Sequence, residues 1–99
     1  MALIRPIPAS GLNYEIVGQI HSQATTPETI TCSKDYKVLV LSYKTTNGTL
    51  TVTNNNSLTP ASSTMNTFTE IYENVPSGTV FTATQTQTYW HEVSAVGFY

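Results

Sequence analysis

Ninety-nine residues and 10.8 kDa make one domain with a single core and leave no room for a separate catalytic domain beside it. Charged residues are 10% of the chain, the formal net charge is −2, and Thr, Ser and Asn fill about a third of it, so the surface offers hydroxyls and amides and no positive field for a nucleic acid. One Cys allows no internal disulfide framework and no multi-Cys zinc site.

The segment Met1 to Ser10 lacks the basic start and unbroken apolar run of a secretory signal, and Pro6 and Pro8 interrupt it. No stretch reaches the roughly 18 apolar residues that a membrane span requires. The expectation is a chain made in the cytoplasm, or a fragment of something longer, with residues 1–11 as an N-terminal arm and 12–99 as the domain. Asn47-Gly48-Thr49 and Asn55-Asn56-Ser57 match the glycosylation triplet but read better as turn chemistry.

Strands are expected throughout, because Thr, Ile, Val and Tyr dominate and helix formers never recur at three-to-four spacing. Tyr14 to Ile20 comes first, with Tyr14, Ile16 and Ile20 on one face and Gly18 marking a bulge or a close backbone approach. Thr29 to Cys32 follows and turns Ile30 and Cys32 inward, which makes Cys32 a small core residue. Tyr36 to Lys44 is apolar on both faces over its middle, the pattern of a central strand covered on both sides. Asn47-Gly48 predicts a tight hairpin from it to Leu50–Thr53, whose Leu50 and Val52 face in.

Asn54 to Asn66 reads as a long loop, in which only Leu58 and Met65 are apolar. Thr67 to Tyr72 forms a strand closed by the turn Asn74-Val75-Pro76-Ser77-Gly78, and Thr79 to Thr84 leads away from that turn. Val93 to Tyr99 forms the last strand, apolar to its end and so expected to be docked in a sheet or against a partner. About seven strands joined by turns predict an all-β, antiparallel two-layer β-sandwich, with jelly-roll-like and immunoglobulin-like strand orders both open.

Two His, one Cys, one Asp and five Glu are scattered over separate segments, so no catalytic, cofactor or metal site is expected. His21 and His91 read as two solvent-facing side chains, and an enzyme would need a cluster of Glu70, Glu73, His91 and Glu92. Lys34, Lys37 and Lys44 read as guards of an edge or rim. The alternation of Thr82, Thr84, Thr86 and Thr88 suggests a hydroxyl ladder for ice or a crystalline surface, but a single row without repetition on neighbouring strands makes no lattice. Tyr89-Trp90-His91 is the best binding candidate: aromatic faces beside the Glu92 carboxylate stack and hydrogen-bond sugars, and they also anchor protein interfaces. A lone Trp in so small a domain is expected in the core or a subunit contact ahead of a ligand platform. Asn54, Asn55 and Asn56 could add adaptable polar contacts.

With Lys34-Asp35-Tyr36-Lys37-Val38-Leu39-Val40-Leu41-Ser42, Asn47-Gly48, the Val75-Pro76-Ser77-Gly78-Thr79 turn and the terminal Ala95-Val96-Gly97-Phe98-Tyr99, residues 12–99 resemble in style the small β-sandwich modules of bacteriophage tail fibres and related virion proteins. That resemblance implies a non-enzymatic module, often trimeric, that displays loops at a fibre tip or decorates a particle assembled in host cytoplasm. It implies a homo-oligomer, with a cell-surface glycan or protein as further partner, no nucleic acid and no membrane insertion. Six Tyr, three Phe and one Trp are a large aromatic load for the size and fit buried subunit contacts. The alternative is a carbohydrate-binding or adhesin-like sandwich from a larger bacterial surface protein, with Trp90 and Tyr89 as the sugar platform.

Overall fold

A computed structural model of the chain describes residues 13–47, 49–64 and 68–99. The N-terminal arm, Leu12, Gly48, Met65, Asn66 and Thr67 lie outside them. The described residues contain eight strands and no helix: β1 (Tyr14–Ser22), β2 (Glu28–Thr31), β3 (Tyr36–Thr45), β4 (Leu50–Asn54), β5 (Ser62–Thr64), β6 (Thr69–Val75), β7 (Val80–Gln85) and β8 (His91–Phe98). β5 is the strand beyond the expected seven and lies inside the segment read as a loop. β6 runs on through Val75, past the Asn74 at which a turn was expected.

All pairings are antiparallel and form two sheets, a five-stranded one in the order β1-β8-β3-β6-β5 and a three-stranded one in the order β2-β7-β4. β1 pairs β8, β2 pairs β7 and β3 pairs β6, so the chain is one long hairpin folded over into two layers. That nesting is the jelly-roll order and decides between the two sandwich topologies. It also corrects the hairpin expected at Asn47-Gly48: β3 and β4 lie in different sheets and do not pair. The turn between them carries the chain from one layer to the other, because the apolar faces of both strands close on the same core from opposite sides.

The core lies between the sheets. Leu39, Leu41, Tyr72, Val93 and Ala95 of the larger sheet meet Ile30, Phe81 and Ala83 of the smaller, and Leu50 and Val52 pack against them as expected. The Tyr72 and Phe81 rings meet edge to face with centroids 5.2 Å apart. Each fully buried side chain of this size contributes about 1.5–3 kcal/mol. Cys32 is buried here, and desolvation pushes its thiol pKa up, which keeps it protonated and inert.

β1 departs from simple alternation. Ile16 pairs Val96 while Gly18 pairs Ala95, so Val17 is an extra, bulged residue and the two halves of the strand present opposite registers. Ile20 therefore faces the core opposite Val93, whereas Tyr14 and Ile16 point outward and are 73% and 63% exposed, against the single shared face expected of them. Gly18 sits where β2 approaches, since a Cβ there would stand 2.8 Å from a methyl of Ile30.

Candidate functional site

The registers place two rows of apolar side chains across the outer face of the larger sheet. One row is Tyr14, Phe98 and Val38, with Glu73 beside them; the next is Ile16, Val96, Val40 and Ile71. The Tyr14 and Phe98 rings lie 6.0 Å apart. β3 is thus apolar on both faces as read from the sequence, but the described residues cover only its inner one. An apolar patch continuous across four strands marks an interaction surface far more often than scattered exposed residues do.

Further along the same face the chemistry changes. Ser94 and Ser42 form the third row, and His21, Glu92 and Lys44 the fourth. Lys44 pairs with Glu92 at 3.2 Å with both side chains well exposed, so the pair adds little stability but balances charge locally. Trp90, one residue before β8, stands over this row. Its carbonyl accepts hydrogen bonds from the backbone N–H of Thr46 at 3.0 Å and from the Thr46 hydroxyl at 3.3 Å, which fixes the backbone. The indole leans on the His21 ring with centroids 4.8 Å apart at 44°. Trp90 is 47% exposed, which removes the core from the two places expected for it and leaves the subunit contact. A recess of about 300 Å³ opens here between His21, Lys44, Thr46, Trp90 and Glu92.

His91 corrects a second expectation: it is buried, not solvent-facing. Its Nε2 lies 2.9 Å from the Glu28 carboxylate and its Nδ1 3.3 Å from the Tyr89 carbonyl, so both ring nitrogens face acceptors and the ring ties β8 to β2 across the layers. Gln85 is likewise buried; its amide donates to Thr45 Oγ1 and the Asn47 carbonyl, and its carbonyl accepts from Thr86 N–H. These groups hold the loop that carries Tyr89 and Trp90.

Asn54, Asn55 and Asn56 do not join that site. Asn54 pairs with Phe81 and Leu50 with Gln85, so the three Asn and the Trp90 loop lie near opposite ends of β4 and β7, on the order of 14 Å apart along the strands. Asn54 Oδ1 accepts from the N–H groups of Asn56 and Leu58, Asn55 exchanges hydrogen bonds with Val80 and Gly78, and Asn56 donates to Thr79 Oγ1 at 2.7 Å. Their amides pin two turns together.

A roomier recess, about 480 Å³, lies at the other end between Asp35, Tyr36, Lys37, Asn74, Pro76 and Tyr99. Asp35 and Tyr36 among its polar groups already have internal partners. Asp35 accepts from Ser77 N–H at 2.7 Å, the Tyr36 hydroxyl donates to Glu15, and Lys34 pairs with Glu15 at 3.2 Å while lying 3.8 Å from the Tyr99 ring centre. The Tyr36 hydrogen bond, with Lys34 adding to it, holds the Glu15 carboxyl below its ordinary range, whereas burial and Glu15 push the Tyr36 hydroxyl up to about 12. The smaller recess is the better candidate because the exposed Trp90 ring lines it.

The acidic groups an enzyme would need are split. His91 faces in and Glu92 out, while Glu70 accepts from the Tyr72 hydroxyl and Glu73 sits on the outer face. Among the described residues no three His, Cys, Asp or Glu side chains come together to hold a metal ion. The hydroxyl ladder also differs from its expected form: β7 ends at Gln85, so only Thr82 and Thr84 lie in it, but Thr29 and Thr53 flank Thr82 and Thr51 flanks Thr84. Repetition on neighbouring strands therefore exists. Comparisons with protein families, curated proteins and solved structures return no match to this chain.

Proposed function

We propose that the chain is a non-enzymatic, homo-oligomeric module of a virion, at a tail-fibre tip or decorating a particle, that presents its loops to a host surface. The observation that carries this reading is the pair of apolar rows from Tyr14 to Ile71 on the outer face of the five-stranded sheet. Flat, β-branched and aromatic, such a face gains free energy when a second copy covers it. The jelly-roll order adds support, since viral capsid and lectin domains use it, although fold alone assigns no function.

Light scattering across a dilution series tests the assembly. A closed oligomer, with a trimer expected, persists to low micromolar concentration; a monomer at every concentration removes the reading. The second reading, a carbohydrate-binding or adhesin-like domain of a larger bacterial surface protein, is favoured by the exposed Trp90 and predicts that monomer.

A further inference from the structure

We infer that the recess beneath Trp90 binds a neutral sugar residue, with the indole as the stacking surface and Glu92, Lys44 and His21 as the polar groups that read its hydroxyls. The inference rests on the recognition role common to both functional readings and uses none of the apolar rows.

The argument starts from what holds Trp90 where it is. An indole that served only packing would turn inward, since burying it removes a large apolar area from water. Here the backbone is fixed by Thr46, one side of the ring is supported by His21, and close to half of the residue stays open. A rigid, supported and uncovered aromatic face is pre-organised for a ligand, because little side-chain entropy remains to be lost.

The surrounding charges select the ligand class. Lys44 and Glu92 compensate each other at 3.2 Å, so the recess presents no net field for a phosphate, a carboxylate or an ammonium group. It does present an exposed ammonium donor and an exposed carboxylate acceptor side by side. A pyranose matches both demands: its C–H face is apolar and meets the electron-rich ring face, while its hydroxyls both donate and accept. The volume of about 300 Å³ is at the lower limit of small-molecule sites and suits a terminal residue presented on a longer glycan.

Trp90 is the chain's single Trp, so its fluorescence reports on this site alone. The whole chain, labelled at its N-terminus, is applied to an array of microbial and animal oligosaccharides, and the best neutral glycan is then titrated against Trp emission. The expected result is a saturable blue shift in the unaltered chain and, read through the N-terminal label because the variants carry no Trp, binding at least about tenfold weaker in Trp90→Ala and an intermediate loss in Trp90→Phe. Circular dichroism and light scattering on the same variants check that fold and mass are unchanged. Glycan binding that survives Trp90→Ala in a folded chain overturns the site while sparing the recognition role. Absence of any glycan binding overturns the site, while a protein receptor on the host surface and the assembly reading stand or fall by their own measurements. Emission that shifts on dilution and not with sugar assigns Trp90 to a contact between copies and overturns the inference.

Discussion

Outward positions of the three-stranded sheet hold Thr29, Thr31, Thr51, Thr53, Thr82 and Thr84 with Val80 beside Thr31, whereas those at one end of the five-stranded sheet hold Tyr14, Ile16, Val38, Val40, Ile71, Val96 and Phe98. Both sets suit a pleated strand equally, since Thr and Val share the same branching at Cβ. They differ in what water does to them. A Thr hydroxyl is satisfied by solvent, while the exposed Ile16 and the half-buried Val38, Val40, Ile71 and Val96 forgo part of the roughly 1.5–3 kcal/mol that full burial of such a side chain releases. One face is satisfied by water as it stands, and the other would gain free energy from a partner that covered it.

Substitution at Val96 is expected to break that comparison most severely. Val96→Lys puts a charge at the middle of the apolar rows and should weaken self-association at least about a hundredfold, about 3 kcal/mol, read as a fall to monomer mass in light scattering. Thr82→Lys, at the matching place on the other face, should leave the mass unchanged. A monomeric wild type, or equal responses to the two charges, would erase the distinction between the faces.

Next in size is Gly97→Ala. The Tyr36 ring occupies the space in which a Cβ at Gly97 would stand, so the ring must move off the β8 backbone that carries Phe98 and Val96. A loss of about 1–3 kcal/mol in denaturant unfolding is expected. A neutral result would show that this end of the sheet yields easily.

A smaller effect is expected from pH at the same end. The Glu15 carboxyl lies below its ordinary 4.5 in the folded chain, so its contribution is present above that value and is lost as pH falls through the lowered one. Tyr36 is raised from 10.0 to about 12, so its contribution is present below 10.0 and is lost as pH rises through about 12. Tyr36→Phe should flatten the alkaline limb and, by freeing Glu15 from its main partner, shift the acid limb upward in pH. Unchanged limbs in thermal melts across pH would show that the pair does not fasten β1.

Least affected is the threonine face. Thr53→Val should change stability by no more than about 0.5 kcal/mol and leave the oligomer mass as it was, because one methyl in a hydroxyl row makes no patch. A concentration-dependent mass in Thr53→Val would mean that this face also sits close to an interface.

Much of this was legible in the sequence. Strand positions followed from alternation, as in Leu50 and Val52 facing in with Thr51 and Thr53 out, and the buried place of Cys32 followed from its neighbour Ile30. The outward turn of Tyr14 and Ile16 did not follow, because one bulged residue at Val17 reverses every side chain before it. Gly18 was the visible signal of that bulge. His91 was read as exposed because its partner Glu28 lies 63 residues away in the chain. Trp90 was singled out as the chain's one Trp beside Tyr, His and Glu, and Asn54 to Asn56 were grouped with it only because both segments are polar connections.

By itself the sequence determined an all-β domain and most of its inward faces, since period-two alternation acts between residues close along the chain. Tertiary structure decided the nested pairing of β1 with β8, β2 with β7 and β3 with β6, and with it which outer face is threonine and which apolar. Those choices depend on which distant strand closes each layer, where many pairings satisfy the same local pattern and only burial of a shared core separates them.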